Sequence, residues 1–462
     1  MTINTDLATA LQSIADVIGE RLSTTAAIRE QHGRDESWHD GQAPDAVCFV
    51  KSTDEVSAIL AICHRFSVPV IPYGTGTGME GQVTAPMGGV CIDTAGMNQI
   101  LRVSEEDFDC TVQAGVTRKQ LNEHLRHSGL FFPVDPGADA SIAGMVSTRA
   151  SGTNAVRYGT MREATLSLKV VLADGKVIDT GTRARKSSAG YDLTRLFTGA
   201  EGTLGVIVEV TLRLHPQPEA TIAARVQFPS VGDCAKAVIT TMQCAIPMAR
   251  IELLDHHAMR AVNQYSKSDY AESPTLFVEF HGTEASTAEQ VERFREICDE
   301  YGGRGFERCA HEEDRNKMWQ ARHTAAYAMI ATRPGARIVS TDVCVPVSKL
   351  AQCIAESQRY ADEVGNVPTI LVGHVGDGNF HIGFAVDPNS AEELRAIKAA
   401  NEKIVDCALR LGGTCTGEHG IGIGKQHALV REYGEDAVAT MRAIKSALDP
   451  KGIMNPGKIF LS

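Results

Sequence analysis

Two short segments near the C-terminal end of the chain contain the residues best suited to chemistry. The first, Gly373 to His381, reads GHVGDGNFH, and the second, Gly417 to Gly420, reads GEHG. They supply three imidazoles and a carboxylate among glycines, where backbone can approach a ligand closely. Two histidines and the glutamate suit a zinc or manganese ion, and His419 is then left as a general base, because an ordinary imidazole pKa of about 6.5 lies near working pH.

A structural role is the alternative for these residues. A single histidine more often caps a turn or satisfies buried backbone groups than it binds a metal. The set of four is harder to explain in that way, although the proximity of the two segments is an inference. The composition therefore predicts a catalytic centre.

Composition limits the class of protein. The 462 residues include 57 acidic and 45 basic side chains, and the net charge of −12 argues against nucleic acid and anionic lipid as partners. No run approaches the ~20 apolar residues of a membrane span, and the N-terminus has no leader pattern. The 12 cysteines contain no C-x-x-C pair, so we expect reduced thiols. We expect a cytoplasmic protein, with peripheral contact to the inner membrane left open.

A β-α-β pattern leads to a glycine-rich loop in the first part of the chain. We expect an N-terminal helix from Leu7 to Leu22, a strand at 47–50, a helix with a capping box of Ser52 and Glu55, and a strand at 68–71. The loop at 74–78, GTGTG, has N–H groups that suit a pyrophosphate. It is a weak signal alone, and it is not the dinucleotide fingerprint of doubly wound folds, because no amphipathic helix follows it.

Two further loops of small residues follow. One runs from Pro136 to Asn154, and the other from Thr198 to Gly205. A surface loop explains one such segment, but three in one α+β domain favour a long, flat ligand enclosed by backbone, such as a flavin dinucleotide. Pro216 and Pro218 then mark a domain boundary. Strands at 223–228 and 275–280, with helices at 233–245 and 288–301 and another from Ser390 to Gly412, predict an α+β cap.

Over residues 40 to 460, the chain resembles the FAD-dependent D-2-hydroxyacid dehydrogenases of the vanillyl-alcohol-oxidase superfamily. The resemblance is carried by the loops at 74–78, 135–145 and 201–205, by the two histidine segments and by the tail from Leu448 to Lys458. The segments at 134–141, 340–346 and 413–420 look most like the cytochrome-type D-lactate dehydrogenases. The resemblance implies an α+β fold with a two-lobed, PCMH-type FAD-binding domain and an α+β cap. Its domains would be an N-terminal helical segment at 1–39, the FAD-binding domain at 40–217, the cap at 218–425 and a returning C-terminal segment at 426–462.

The resemblance also implies the residues that bind FAD. No histidine occupies loop 74–78, where some relatives link flavin covalently, so we expect non-covalent FAD. The implied cofactor residues are Pro72, Gly74, Thr75, Gly76, Thr77, Gly78, Pro136, Gly137, Ser141, Gly144, Met145, Thr148, Gly152, Asn154, Glu201, Ile207 and Asn455.

The implied metal ligands are His374, His381 and Glu418, and His419 corresponds to the catalytic base. The metal would acidify the substrate hydroxyl, and FAD would accept the hydride from C2. Arg322 matches the arginine that binds the substrate carboxylate, with a helix-surface role, or Arg333 or Arg337 in its place, as alternatives.

Substrate choice depends on two positions. Enzymes for D-2-hydroxyglutarate are expected to place a lysine near Ser340 and an asparagine near Gly383, and this chain has neither. A small monocarboxylate such as D-lactate is therefore favoured. The alternatives are the FAD subunit of a glycolate oxidase, a D-2-hydroxyglutarate dehydrogenase, and a non-catalytic flavin-binding electron-transfer subunit.

The electron acceptor and the oligomeric state are expected only as broad classes. Electrons would pass to a non-oxygen acceptor, namely cytochrome c, a quinone or an electron-transfer flavoprotein. A homodimer is compatible with the sequence. The identity of the metal and of the electron acceptor is left open by the residues themselves.

Overall fold

The computed structural model describes residues 5–461, which divide into two compact units. Unit 1 contains the chain up to Ser151, then Gly159–Gln217, and then the chain from Glu418 onward. Unit 2 contains Gly152–Tyr158 and Pro218–Gly417. Within residues 5–461, no helix combines the length and the apolar character that crossing a membrane requires.

Unit 1 contains short helices around three sheets. Its elements are α1 (Thr5–Ile18), β1 (Leu22–Ser23), α2 (Ala26–His32), β2 (Ala46–Phe49), α3 (Thr53–Phe66), β3 (Val70–Tyr73), β4 (Val90–Asp93), β5 (Ile100–Ser104), β6 (Asp109–Gln113), α4 (Arg118–His124), β7 (Leu130–Phe131), α5 (Ile142–Thr148), α7 (Met161–Ala164), β8 (Thr165–Val171), β9 (Val177–Asp179), α8 (Leu193–Phe197), β10 (Val206–Arg213), β11 (His215–Pro216), α16 (Gln426–Tyr433) and α17 (Glu435–Leu448). Helix α6 (Ala155–Tyr158) interrupts this order and belongs to unit 2.

Unit 1 has two lobes, each with its own sheet and apolar core. The first sheet has the strand order β1-β2-β4-β3, and the second has the order β5-β6-β10-β8-β9. One buried cluster includes Ile14, Ile59 and Ile92, and the other includes Phe132 and Leu168. The expected two-lobed domain is confirmed, and no helix separates the glycine-rich loop from β4, as expected.

Two local predictions need correction. The N-terminal helix ends at Ile18 rather than Leu22, because Gly19 adopts a φ of +60° and a short 3₁₀ turn leads to β1. The capping box at Ser52 is only half formed. Ser52 accepts the Glu55 N–H, but the Glu55 carboxylate bonds the N–H of Lys51 and pairs with Arg21.

Unit 2 is built on one large sheet. Besides α6, its elements are β12 (Ala220–Gln227), α9 (Val231–Gln243), β13 (Met248–Leu254), α10 (His256–Ser266), β14 (Thr275–Gly282), α11 (Glu284–Glu300), β15 (Arg304–Cys309), α12 (Glu312–His323), α13 (Ala325–Ala331), β16 (Arg337–Ser340), β17 (Val343–Cys344), α14 (Leu350–Asp362), β18 (Thr369–His374), β19 (Asn379–Val386) and α15 (Ala391–Arg410). The eight strands follow the order β15-β12-β14-β13-β18-β19-β16, with β17 also paired to β19.

The predicted strands and helices of the cap are confirmed within a few residues, so the α+β cap is confirmed as well. The sheet of unit 2 is antiparallel throughout its recorded strand pairs, which allows one buried apolar face and one face that contains polar groups. Of the twelve cysteines, all except Cys244 and Cys344 are buried.

Candidate active site

Strands β13, β18 and β19 bring the predicted histidines of unit 2 onto one face of its sheet. Strands β18 and β19 form a hairpin in which His374 pairs with Asn379 and Val372 pairs with His381. Side chains alternate along a strand, so His374 and His381 share a face. Their ring centroids lie 5.6 Å apart. On the neighbouring strand, Leu253 pairs with Gly373, which places Glu252 beside His374.

Glu252 is a buried carboxylate that joins His374 to Arg322. Its Oε1 lies 2.7 Å from His374 Nδ1, and its Oε2 accepts the Nε–H of Arg322 at 2.9 Å. The Glu252 side chain is only 1% exposed. Burial alone would raise the pKa of this carboxyl, but His374 and Arg322 hold it below its ordinary value. An ionised Glu252 therefore fixes the orientation of both partners.

His381 is oriented by a backbone carbonyl. Its Nδ1 lies 3.0 Å from the oxygen of Thr341, and because a carbonyl can only accept, Nδ1 carries the proton. Metal-binding histidines commonly donate one ring N–H to a carboxylate or carbonyl and bind the metal through the other nitrogen. In both His374 and His381, Nδ1 lies within hydrogen-bond distance of such an oxygen.

Asp342 connects the segments that surround His381. Its Oδ1 accepts from Asn379 Nδ2 at 2.9 Å, and its Oδ2 accepts from Thr416 Oγ1 at 2.7 Å. Gly417 packs so closely here that a Cβ would lie 2.1 Å from Asn379 Nδ2. The last residue of unit 2 must therefore be glycine to pack this closely against Asn379, and Glu418 is the first residue of the returning segment of unit 1.

Arg322, the predicted carboxylate-binding residue, lies on α12 next to Glu252. Both Nε and Nη2 contact Glu252, the latter at 2.7 Å, and the side chain is 12% exposed. Arg333, one alternative, is bound by the carboxylate of Glu393 at 2.8 and 2.9 Å. Arg337, the other, is exposed. The contacts thus associate Arg322, rather than Arg333, with the histidine pair.

In unit 1, the glycine-rich loop lies against the residue that precedes α5. Gly76 has a φ of +69°, and a Cβ there would lie 2.3 Å from the Tyr73 hydroxyl. A Cβ at Gly74 would lie 2.3 Å from Ser141 Oγ, and the Ser141 N–H bonds Thr75 Oγ1 at 3.4 Å. Ser141 Oγ is buried and has no hydrogen-bond partner among the described residues. A phosphate oxygen would accept a hydrogen bond from this hydroxyl. Loop 74–78 and Ser141 together form a cofactor cradle, and this cradle fits the pyrophosphate of FAD.

Apart from Ser141, Glu201, Asn455 and the residues of loop 74–78, the predicted cofactor residues fall into three groups. In unit 1, Pro72 lies on β3, Gly144, Met145 and Thr148 lie on α5, and Ile207 lies on β10, with the Met145 and Ile207 side chains buried in the second lobe. Pro136 and Gly137 lie in the loop before α5, where a Cβ on Gly137 would meet no atom of residues 5–461 within 4 Å. Gly152 and Asn154 belong to unit 2, where Asn154 Oδ1 accepts from Arg250 Nε at 2.9 Å.

Asn455 and Glu201 are bound to one another in unit 1. Asn455 Nδ2 donates to the backbone oxygens of Gln82 and Glu201 at 3.0 and 2.7 Å, while its Oδ1 is buried without a partner in the described chain. Glu201 accepts the N–H groups of Ile421 and Gly422. Burial raises the pKa of Glu201 to about 7.

Glu418 and His419 begin the return of the chain to unit 1. The backbone oxygen of His419 accepts from Gln82 Nε2 at 2.7 Å. The predicted metal ligands are thus divided, with His374 and His381 in unit 2 and Glu418 in unit 1. Their assignment as one metal site stays a prediction.

Sequence reasoning missed Glu252, Asp342 and Gln82. Glu252 could have been identified from the sequence, because Glu252 and Arg250 are charged residues two positions apart in the otherwise apolar strand MARIELL. A charged residue inside such a strand is expensive to bury unless it is paired. Gln82 had no comparable signal, since its partner is the backbone of a residue 337 positions away.

Comparison with solved structures defines the class of fold. The chain superimposes on p-cresol methylhydroxylase with a TM-score of 0.84 and 18% identity, covering 100% of this chain and 98% of that one. The expected PCMH-type FAD fold is confirmed.

Comparison of sequences then defines the family. The FAD binding domain family matches residues 44–181, and the family of FAD linked oxidases, C-terminal domain, matches residues 217–459. The chain belongs to the FAD linked oxidases. It is 50% identical to a protein of Danio rerio named probable D-lactate dehydrogenase, mitochondrial, over 97% of this chain and 91% of that protein. It is 45% identical to the Arabidopsis thaliana protein named D-lactate dehydrogenase [cytochrome], mitochondrial, over 97% of this chain and 80% of that protein.

Proposed function

We propose that the protein is an FAD-dependent dehydrogenase that oxidises D-lactate to pyruvate and passes the electrons to an acceptor other than oxygen. The observation that carries this proposal is the similarity to two proteins named D-lactate dehydrogenase over 97% of the chain. The polar cluster of Glu252, Arg322 and the histidine pair supports it, because oxidation of a 2-hydroxy acid needs groups that bind a carboxylate and a hydroxyl.

The cradle in unit 1 is the proposed site of the FAD pyrophosphate. Bound there, FAD supplies the hydride acceptor for the reaction. Loop 74–78 provides backbone N–H groups at close range because Gly74 and Gly76 have no side chain, and Ser141 contributes a buried hydroxyl. Asn455 provides a second buried polar atom, Oδ1, on the segment that follows α17.

His374, His381 and Glu418 are the proposed ligands of a divalent zinc or manganese ion. Such an ion supplies a Lewis acid that lowers the pKa of the substrate hydroxyl. The donor set supports this assignment, because both histidines have their Nδ1 atoms bound by the acceptors that usually support metal-ligating imidazoles. Two imidazoles and one carboxylate leave further coordination positions for a substrate.

His419 is the proposed base, and Arg322 the proposed carboxylate-binding group. His419 would accept the hydroxyl proton as the hydride leaves C2. The bonds from Arg322 Nε and Nη2 to Glu252 hold the guanidinium plane, and Nη1 would donate to the substrate carboxylate. Orientation of the substrate by such groups provides a large part of the rate enhancement in comparable reactions.

The surroundings of Gly383 support a small substrate. Gly383 pairs directly with Ser340 across β16 and β19. A Cβ at Gly383 would lie 2.9 Å from Met329 Cε, so an apolar side chain already fills this space. A second substrate carboxylate placed against this side chain would lose its hydration, which costs several kcal/mol unless a cation pairs with it.

Anaerobic reduction of the bound flavin tests the proposal. The purified protein is mixed in parallel with D-lactate, L-lactate, glycolate and D-2-hydroxyglutarate, before and after treatment with a chelator. We expect rapid bleaching with D-lactate, weak or no bleaching with the other acids, and loss of the reaction after metal removal. Bleaching by glycolate in preference to D-lactate would favour the glycolate oxidase subunit. No bleaching by any acid would favour the electron-transfer subunit.

A further inference from the structure

The loop that contains His419 is bound by two side chains of unit 1. Gln82 Nε2 donates to the backbone oxygen of His419 at 2.7 Å. Glu201 accepts the N–H groups of Ile421 and Gly422 at 2.7 and 2.8 Å, one with each carboxylate oxygen. These bonds engage three successive peptide groups, beginning with the one that follows His419. The backbone next to the predicted base is therefore fixed by side chains and not only by its own turn.

The orientation of the Gln82 amide is determined by its second bond. Its Oε1 accepts the N–H of Glu80 at 3.0 Å, so the Nε2 end must face His419. The backbone oxygen of Glu80 in turn accepts the N–H of Ile423 at 2.9 Å. Gln82 is only 6% exposed, which protects both bonds from competition by water.

The close approach of Gln82 and Glu201 to the loop depends on the backbone conformation at Gly420. Gly420 has a φ of +83°, and a Cβ there would lie 2.7 Å from Glu201 Oε1 and 3.1 Å from Gln82 Nε2. Glu201 itself has a φ of +50°, a conformation that non-glycine residues adopt only when their surroundings enforce it. Glycine at 420 thus permits the close approach of both side chains.

We propose that Gln82 and Glu201 are positioning residues that hold the His419 imidazole in place for proton transfer. This inference rests on the proposed role of His419 as the base. Neither side chain need touch the substrate, because each acts through the backbone of the loop. Gln82 also follows the glycine-rich loop closely in the chain, so the segment that carries the proposed cofactor cradle also sets the position of the base.

The expected effect is on the chemical step and not on binding. A displacement of a catalytic group by about 1 Å can slow a reaction by as much as about 100-fold. Removal of the Gln82 bond should therefore slow flavin reduction by roughly 10- to 100-fold at saturating D-lactate. The FAD content and the concentration of D-lactate that gives half-maximal reduction should remain within about twofold of the wild type, because a positioning group contributes mainly to the transition state.

A matched set of variants of the FAD-loaded, full-length protein separates positioning from general destabilisation. Gln82→Met removes both hydrogen bonds with little change in volume, and Glu201→Gln retains the shape of the side chain. Gln426→Met is the control, because Gln426 also donates Nε2–H to backbone oxygens, those of Gly457 and Phe460, at 2.9 Å. His419→Ala reports on the base itself. Each variant is assayed for FAD content, anaerobic flavin reduction and hydrogen exchange of the amides of Ile421 and Gly422.

The outcomes are distinguishable. Slow reduction in Gln82→Met, Glu201→Gln and His419→Ala, with a normal rate in Gln426→Met, supports the inference. A normal rate in Gln82→Met and Glu201→Gln with a slow His419→Ala overturns it and leaves the proposed function intact. A normal rate in His419→Ala refutes the base assignment and, with it, this inference. If D-lactate fails to reduce the flavin of the wild type, the proposed function is refuted. Independently, unchanged exchange of the Ile421 and Gly422 amides in Glu201→Gln would overturn the positioning role.

Discussion

The pairing of Glu252 with Arg322 and His374 makes Glu252→Gln an informative perturbation. The substitution preserves the shape of the side chain but removes a charge that is 1% exposed and contacts two partners at 2.7 Å. Loss of one member of a buried ion pair typically costs 3–5 kcal/mol, and an amide oxygen still accepts one hydrogen bond, so we expect about 3 kcal/mol. Loss of the carboxylate behind a metal-binding histidine lowers metal affinity by about 10- to 100-fold.

Two measurements test this prediction separately. Urea unfolding of the chelator-treated protein gives the change in stability, and titration of the apoprotein with zinc gives the change in affinity. Glu272→Gln is the matched control, since its carboxylate also lies 2.7 Å from an arginine Nε, that of Arg260, but both side chains are about half exposed. An exposed pair contributes about 0.5 kcal/mol, so the control should change little. Equal effects in both variants would refute the argument that Glu252 organises the site.

Three further predictions concern the metal, the flavin and pH. His374→Ala should lose metal but retain FAD, whereas His419→Ala should retain both and lose most turnover. Metal analysis and flavin absorbance measure the two contents, and metal retained by His374→Ala would contradict the prediction. Gly76→Ala should lower the FAD content, because a Cβ would lie 2.3 Å from the Tyr73 hydroxyl at a φ of +69°; full FAD occupancy would contradict it. Burial raises the pKa of Glu201 from 4.5 to about 7, so the folded state retains this proton longer than the unfolded chain and loses stability as pH rises between these values. The stability of the wild type relative to Glu201→Gln should therefore fall by about 2 kcal/mol between pH 5 and pH 7.5, and a constant difference in urea unfolding would refute the assignment.

Much of the fold could be predicted because its signals are local. Capping residues, apolar periodicity and glycine-rich turns predicted a strand at 275–280 and a helix from Ser390 to Gly412, and the structure has a strand at Thr275–Gly282 and a helix at Ala391–Arg410. The relation of His374 to His381 was also accessible, because both lie on one hairpin in which a short turn fixes the register.

The contacts that complete the site could not be predicted, because they join distant parts of the chain. Glu252 is 122 residues from His374 and 70 residues from Arg322, and Glu201 is 220 residues from Ile421. Local preference carries no information about such pairs. Similarly, nothing in the pattern of residues 152–158 separates them from their neighbours, and they join unit 2 through tertiary bonds such as Arg250 to Asn154.

Two buried glutamates show how surroundings alone assign different roles to the same side chain. Glu252 faces Arg322 and His374, and these charges outweigh the cost of burial, so its pKa is lowered. Glu201 is equally enclosed but accepts hydrogen bonds from neutral backbone N–H groups, which do not offset burial, so its pKa rises to about 7. The first can therefore act as a permanent anion that orients the histidine of a metal site. The second can hold the loop of His419 most firmly when it is ionised, so deprotonation of Glu201 costs folding stability while it strengthens the bonds that position the base.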